Sequence, residues 1–257
     1  MISRSKKRLI ARLDVKAPNL IKSINLEGLR KLGNPASFAE DYYEQGIDEI
    51  IYMDVVASLY QRNGLGDIVR STTENVFIPI TVGGGIRTAD DVGEMLRCGA
   101  DKVAVNTAAV RKPDLISELA NIYGSQCIVL SVEAKQVSSG KWEAYTDNGR
   151  EKTGLDVIEW VKQATSLGAG EVLVTSVDRE GTRKGFDLEL SEAVSSVVEV
   201  PVIASGGMGG PADMIAAFDE AQVEAIAMAD ILHYKRMSVE DVRAKAIEAG
   251  IPVRKIR

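Results

Sequence analysis

Histidine is almost missing from this chain: His233 stands alone among 257 residues. A histidine-rich metal site and a Ser-His-Asp triad are therefore not expected, and no metal or cofactor is called for. Cysteine is nearly as scarce. Cys98 and Cys127 lie far from any Cys-x-x-Cys spacing and read as reduced thiols in the cytosol. No apolar run approaches the roughly 20 residues that span a bilayer. The opening stretch MISRSKKRLIARLDV has neither the apolar segment nor the cleavage site of a signal peptide, so a cytoplasmic protein without membrane contact is expected. Basic stripes are lacking too. The net charge is −6, and the cluster Arg4, Lys6, Lys7 and Arg8 is short. Nucleic acid is not an expected partner.

What is present is a core and a rhythm. Hydrophobic residues make up 45% of the chain and charged residues 26%, as in a globular domain with a sizeable interior. Strand-like runs stand at 9–15, 49–57, 79–85, 102–107, 127–134, 171–178, 201–207 and 225–230. They are short, apolar and bounded by Gly, Pro or polar residues, as buried parallel strands are. Helical stretches alternate with them; Thr88-Ala-Asp-Asp91 reads as a capping box that opens one, and Gly99 as its stop. Eight β–α units without a linker predict one domain over 1–257, an α/β fold of the (β/α)8 TIM-barrel class. An open doubly wound sheet is the alternative. Residues 16–34 read as one long connection of the lid type. ITVGGGIRT before VAVNTA echoes IASGGMGGP before IAMADI, and LDVK echoes VEAK, so a two-fold half-barrel repeat is expected.

In such a barrel the chemistry gathers at the carboxyl ends of the strands. Period-2 alternation sends Arg8, Ile10, Arg12 and Asp14 to the barrel axis in the first strand, and Val129, Ser131 and Glu133 in the fifth. Asp14 and Glu133 then face each other across the mouth, as a general acid and base would. The other reading is structural pairing of Asp14 with Arg12 or Lys16, and of Glu133 with Lys135 or Arg12. Gly83-Gly84-Gly85 followed by Asn106 and Thr107 suggests a phosphate cradle, with Lys22 as a loop lysine that closes over it. The mirror position holds Gly206, Gly207 and Gly181, but Asp230 stands there, and a carboxylate beside a phosphate is unfavourable without an intervening cation. At the opposite end Arg8, Glu49, Lys102 and Glu171 each start a strand. Two cations and two anions there form either a salt-bridged plug or a gate for a small polar molecule such as ammonia.

The motifs LDVK (13–16), TVGGGI (81–86), GADKVAVNTAAV (99–110), YTDNGREKTG (145–154), GAGEVLVTSVDREGT (168–182) and ASGGMG (204–209) occur in this order. Together they resemble the cyclase subunit of imidazole glycerol phosphate synthase in histidine biosynthesis, over essentially the whole chain. The resemblance implies a lyase-type cyclisation without metal. It also implies a heterodimer with a glutaminase subunit docked at the amino-terminal face of the barrel, and ammonia passing through the barrel. It assigns catalysis to Asp14, a loop lysine to Lys22, a phosphate site to Gly85, Asn106 and Thr107, and a substrate-side threonine to Thr175. It assigns the ammonia gate to Arg8, Glu49, Lys102 and Glu171, and an interface position to Asp101.

The departures from that family are Glu133 for a catalytic aspartate, Glu180 for an active-site aspartate, Asp230 for a phosphate-binding serine, and Arg12 for a small residue. A longer carboxylate displaces the reacting oxygen by about one bond. A preserved gate beside altered substrate contacts also fits a paralogue that channels ammonia for amidation of surface-polysaccharide sugars. The related half-barrel-repeat isomerase of the histidine pathway would have no use for the gate.

Overall fold

The computed structural model of the chain describes residues 6–24, 26–57 and 64–256. Arg4 of the basic cluster lies outside them. Eight parallel strands close on themselves: β1 (Arg8–Lys16), β4 (Glu49–Asp54), β5 (Ile80–Gly83), β6 (Lys102–Val105), β7 (Ile128–Ser138), β10 (Glu171–Ser176), β11 (Val202–Ser205) and β12 (Ala225–Met228). Closure is set by β7 pairing with β10 and by β12 returning to β1, where Arg8 stands beside Ala225. Helices connect consecutive barrel strands, so the expected (β/α)8 barrel is what forms.

Two hairpins were not anticipated. Residues 16–34 are not a structureless lid. They hold β2 (Asn19–Ile24) and β3 (Glu27–Gly33), antiparallel to each other, with β2 also pairing to β1. The counterpart follows β7 as β8 (Lys141–Thr146) and β9 (Glu151–Asp156). Each half-barrel therefore opens with a long strand whose end is extended by an antiparallel hairpin. This symmetry agrees with the repeat seen in the motifs. Asp147, Asn148 and Gly149 turn the second hairpin with φ of 53°, 59° and 73°, a left-handed run that Asn, Asp and Gly adopt most readily.

Alternation sorts the side chains as the period predicts. Leu9, Ala11, Leu13 and Val15 join the large apolar layer between strands and helices. Ile10, Ile51, Met53, Ala104, Val129, Leu173, Ile203 and Ala227 fill the barrel axis. Helix starts are capped by their own side chains: Thr88 and Asp91 reciprocate in a capping box, and Asp156 accepts from the N–H groups of Ile158 and Glu159. At the amino-terminal edge, carboxylates just ahead of three of the barrel strands satisfy N–H groups at the start of the strand before. Asp48 accepts from Leu9, Asp101 from Ile80 and Glu224 from Val202, at 2.8–3.0 Å. The acidic groups thus tie the lower rim of the barrel together.

Leu173 is fully buried on the axis. Leu173→Ala should destabilise the fold by about 2–5 kcal/mol, the cost of a poorly collapsing core cavity. Urea unfolding checks this, and a loss well under about 1 kcal/mol would mean that the axis repacks freely.

Candidate active site at the barrel mouth

The axis of the barrel, above its apolar layer, is occupied by Arg12. Its strand places it inward between Ile10 and Asp14. The guanidinium is buried and makes three side-chain bonds. Nε donates to Asp14 at 2.9 Å, and Nη1 donates to Thr175 at 2.8 Å and Ser205 at 3.1 Å. Arg12 thus ties the first strand to two strands of the second half-barrel. For Asp14, burial favours the neutral acid, but Arg12 and then Lys22 outweigh it and hold the carboxyl below its ordinary range. Asp14 Oδ2 is buried without a hydrogen-bond partner among the described residues. Of the two structural pairings considered for Asp14, the one with Arg12 is present.

Glu133 is in the opposite state. Burial pushes its carboxyl up to about 7. A hydrogen bond from the Gly149 N–H at 2.7 Å and the charge of Arg12 oppose this without cancelling it. The hairpin after β7 therefore supplies a backbone donor that orients Glu133. Glu133 and Arg12 both line a cavity of about 430 Å³ at the mouth. That size falls within the usual range of small-molecule sites. Gly84, Gly85, Asn106 and Thr107 line the same cavity. Gly84 and Gly85 have φ of 91° and 74°, and a Cβ on Gly84 would fall 2.2 Å from the Asp54 carbonyl oxygen. Only glycine lets the chain pass there. Asn106 donates one amide N–H to the Tyr145 carbonyl, and Thr107 Oγ1 accepts from the Asp147 N–H. Both cradle residues are thereby braced against the second hairpin.

The second half-barrel is built differently. Lys22, expected to close over the first cradle, lies instead on the other side, where Nζ pairs with Glu180 and both groups are buried. The β2–β3 hairpin carries it there, and Gly181 permits the approach: a Cβ at that position would meet Ser23 O at 2.7 Å. Asp230 is held by Arg236 at 3.0 Å, with Arg183 at 3.9 Å. Cations do intervene beside this carboxylate. The space bounded by Gly181, Gly206, Gly207 and Asp230 is only about 20 Å³, room for about one water. Thr175, assigned to the substrate side, spends its oxygen on Arg12.

Below the apolar layer the four charged residues meet. Arg8 contacts Glu49 at 2.7 Å and Glu171 at 2.5 Å, and Lys102 contacts Glu49 at 3.3 Å and Glu171 at 2.8 Å. The alternating ring is closed by four bridges. Burial lowers the Arg8 pKa, but Glu171 and Glu49 raise it more, so the guanidinium stays charged. Asp101, beside Lys102, is exposed on the same face.

A family model described as histidine biosynthesis protein matches residues 8–238. The chain belongs to the histidine biosynthesis protein family. Within it, the chain is 66% identical over 202 residues to the imidazole glycerol phosphate synthase subunit HisF of Legionella pneumophila, covering 79% of this chain and 95% of that one. It is 45% identical over 249 residues to the subunit of the same name from Streptococcus sanguinis (strain SK36), covering 97% and 99%.

Three participants were given no role by the sequence. His233 bridges Tyr42 Oη, 2.7 Å from Nδ1, and the Arg12 carbonyl, 3.1 Å from Nε2. A carbonyl only accepts, so Nε2 carries the proton and Nδ1 accepts from Tyr42. Burial lowers the imidazole to about 4, and the neutral ring fixes the backbone of Arg12 from behind. Arg183 and Arg236 were likewise not singled out, for nothing in their local sequence marks them.

The raised Glu133 carboxyl has a consequence for stability. The folded state holds this proton more tightly than the unfolded chain, whose ordinary value is 4.5. Its contribution is therefore fully present below about 4.5 and is lost as pH rises toward about 7. Glu133→Gln should gain on the wild type between pH 5 and pH 8 by on the order of 1–3 kcal/mol in urea unfolding. An equal difference at both pH values would show that Glu133 titrates as an ordinary carboxylate.

Proposed function

We propose that this chain is the ammonia-dependent cyclase of imidazole glycerol phosphate synthase. Ammonia and the phosphoribulosyl formimino aminoimidazole carboxamide nucleotide would enter, and imidazole glycerol phosphate and aminoimidazole carboxamide ribotide would leave. The observation that carries this reading is the vertical arrangement of the barrel. A cavity with an acid and an anion cradle stands at the mouth, and a ring of alternating charges closes the opposite end of the same axis. The names of the relatives favour it over amidation of surface sugars.

The two carboxylates divide the work by their environments. Glu133, protonated near neutral pH and lining the cavity, is assigned the proton donor. Asp14, ionised and with Oδ2 unengaged among the described residues, is assigned the acceptor. Gly85, Asn106 and Thr107 take one phosphate of the nucleotide, and Thr175 holds the Arg12 side of the site. The relatives are named as subunits, and a glutaminase partner is proposed to dock on the lower face beside Asp101. Its ammonia would pass the ring of Arg8, Glu49, Lys102 and Glu171, which opens by releasing one of its bridges.

The purified chain should turn over the nucleotide with ammonium salts alone, with kcat/KM losing one limb near pH 7 as Glu133 ionises. Absence of both turnover and nucleotide binding would overturn the assignment. In complex with its glutaminase, Lys102→Ala should lower glutamine-dependent turnover by about tenfold relative to the ammonium-dependent rate. Unchanged coupling would remove Lys102 from the gate.

A further inference from the structure

Two of the three guanidinium nitrogens of Arg12 are engaged by the protein. Nε donates to Asp14, and Nη1 donates to Thr175 and Ser205. Nη2 makes no hydrogen bond among the described residues. It is not sealed off either. Asp14 Oδ2 is a buried atom without a partner and Nη2 is not, so its N–H groups reach the open space that Arg12 borders at the mouth. A guanidinium nitrogen left free at a cavity wall is a ready donor for an oxygen that bears negative charge.

The surroundings point to the kind of oxygen. The cavity that Arg12 lines reaches down to Met53 and Ala104, which belong to the apolar layer on the axis. The charged ring stands below that layer, so a small molecule rising along the axis enters the cavity beside Arg12. Ammonia is a nucleophile and needs an electrophilic carbon, and a ribulosyl group offers a ketone. Addition to a ketone places negative charge on its oxygen. A donor held in place before that charge appears stabilises it without reorganising, and most strongly where water is excluded. Arg12 is held in this way. Its other nitrogens are bonded to side chains on β1, β10 and β11, and His233 donates to its carbonyl. Asp14 and Glu133 stand near the same guanidinium.

We propose that Arg12 is a catalytic residue whose Nη2 donates to the substrate carbonyl oxygen as ammonia adds to its carbon. The lone pair of ammonia forms the new C–N bond, and the π pair of the carbonyl moves onto oxygen. Asp14 takes one proton from the attached nitrogen, and Glu133 gives one to the oxygen. The product of the step is a neutral carbon bearing one amino and one hydroxyl group. The proposal rests on the cyclase reading.

Arg12→Lys tests it, because lysine keeps a cation beside Asp14 and removes the planar fork. In ammonium-dependent turnover of the nucleotide, kcat should fall about a hundredfold while KM stays within about threefold. Carbon-13 shifts should show Asp14 still ionised at neutral pH in the variant, which separates a direct role of Arg12 from one exerted through Asp14. A wild-type kcat, a change confined to KM, or a loss of kcat accompanied by a protonated Asp14 would each overturn the proposal. Should the variant fail to fold, the wild type carries the test. With the nucleotide at saturation and no ammonia, the nitrogen-15 signal of the Arg12 Nη groups should shift, and an unmoved signal would overturn the contact. If the wild type neither binds nor turns over the nucleotide, the cyclase reading falls and takes this role with it. If the wild type turns over and Arg12→Lys keeps pace, the role of Arg12 falls alone.

Discussion

One buried guanidinium organises the upper half of this barrel. Arg12 faces Asp14, Thr175 and Ser205 at once, and its carbonyl is held from behind by His233. A charge in that position is tolerable only because its partners are in place; breaking such a pair costs about 3–5 kcal/mol through the charge left behind. Contact with this guanidinium on one side and burial without such contact on the other separate the two carboxylates chemically. Asp14, in direct contact, stays ionised. Glu133, bonded to a backbone N–H and only near the cation, keeps its proton toward neutral pH. Two carboxyl groups near one guanidinium thus take different protonation states.

Arg12 also divides the mouth. It borders both the large cavity of the first half and the small space of the second. On the first side the backbone shapes the cavity: glycines with positive φ line it, and the hairpin after β7 braces Asn106 and Thr107. On the second side side-chain ion pairs fill the corresponding space, Lys22 with Glu180 and Asp230 with Arg236. The two-fold repeat is retained in the strands and hairpins and is lost in the charges. The lower face keeps its own logic, a closed ring of four charges whose bridges run at 2.5–3.3 Å.

Much of this was legible in the residues because strands have a strict period. Once the eight runs are placed, alternation alone sends Arg12, Asp14, Ser131 and Glu133 inward and Leu9, Leu13 and Val15 outward. The ring was legible for the same reason, since each of its members starts a strand. The hairpins were not. Their strands are short and partly polar, and they are stabilised by pairing to β1 and β7 rather than by their own pattern. Asn148-Gly149 was a usable turn signal for the second one. The direction of Lys22 followed from the first hairpin, so it was missed together with it. The pairing of Asp230 with Arg236 joins residues on a short helix and the turn after it, a geometry that composition does not announce.

The claim on which the rest depends is that two neighbouring carboxylates rest in opposite protonation states, Asp14 ionised by its contact with Arg12 and Glu133 kept protonated by burial. Carboxyl carbon-13 chemical shifts of Asp14 and Glu133, followed by NMR across pH 3 to 9, measure it directly. The account predicts that Asp14 remains ionised to below its ordinary value of 3.8 and that Glu133 titrates near 7. Coincident titration of both groups in the ordinary carboxylate range would contradict it.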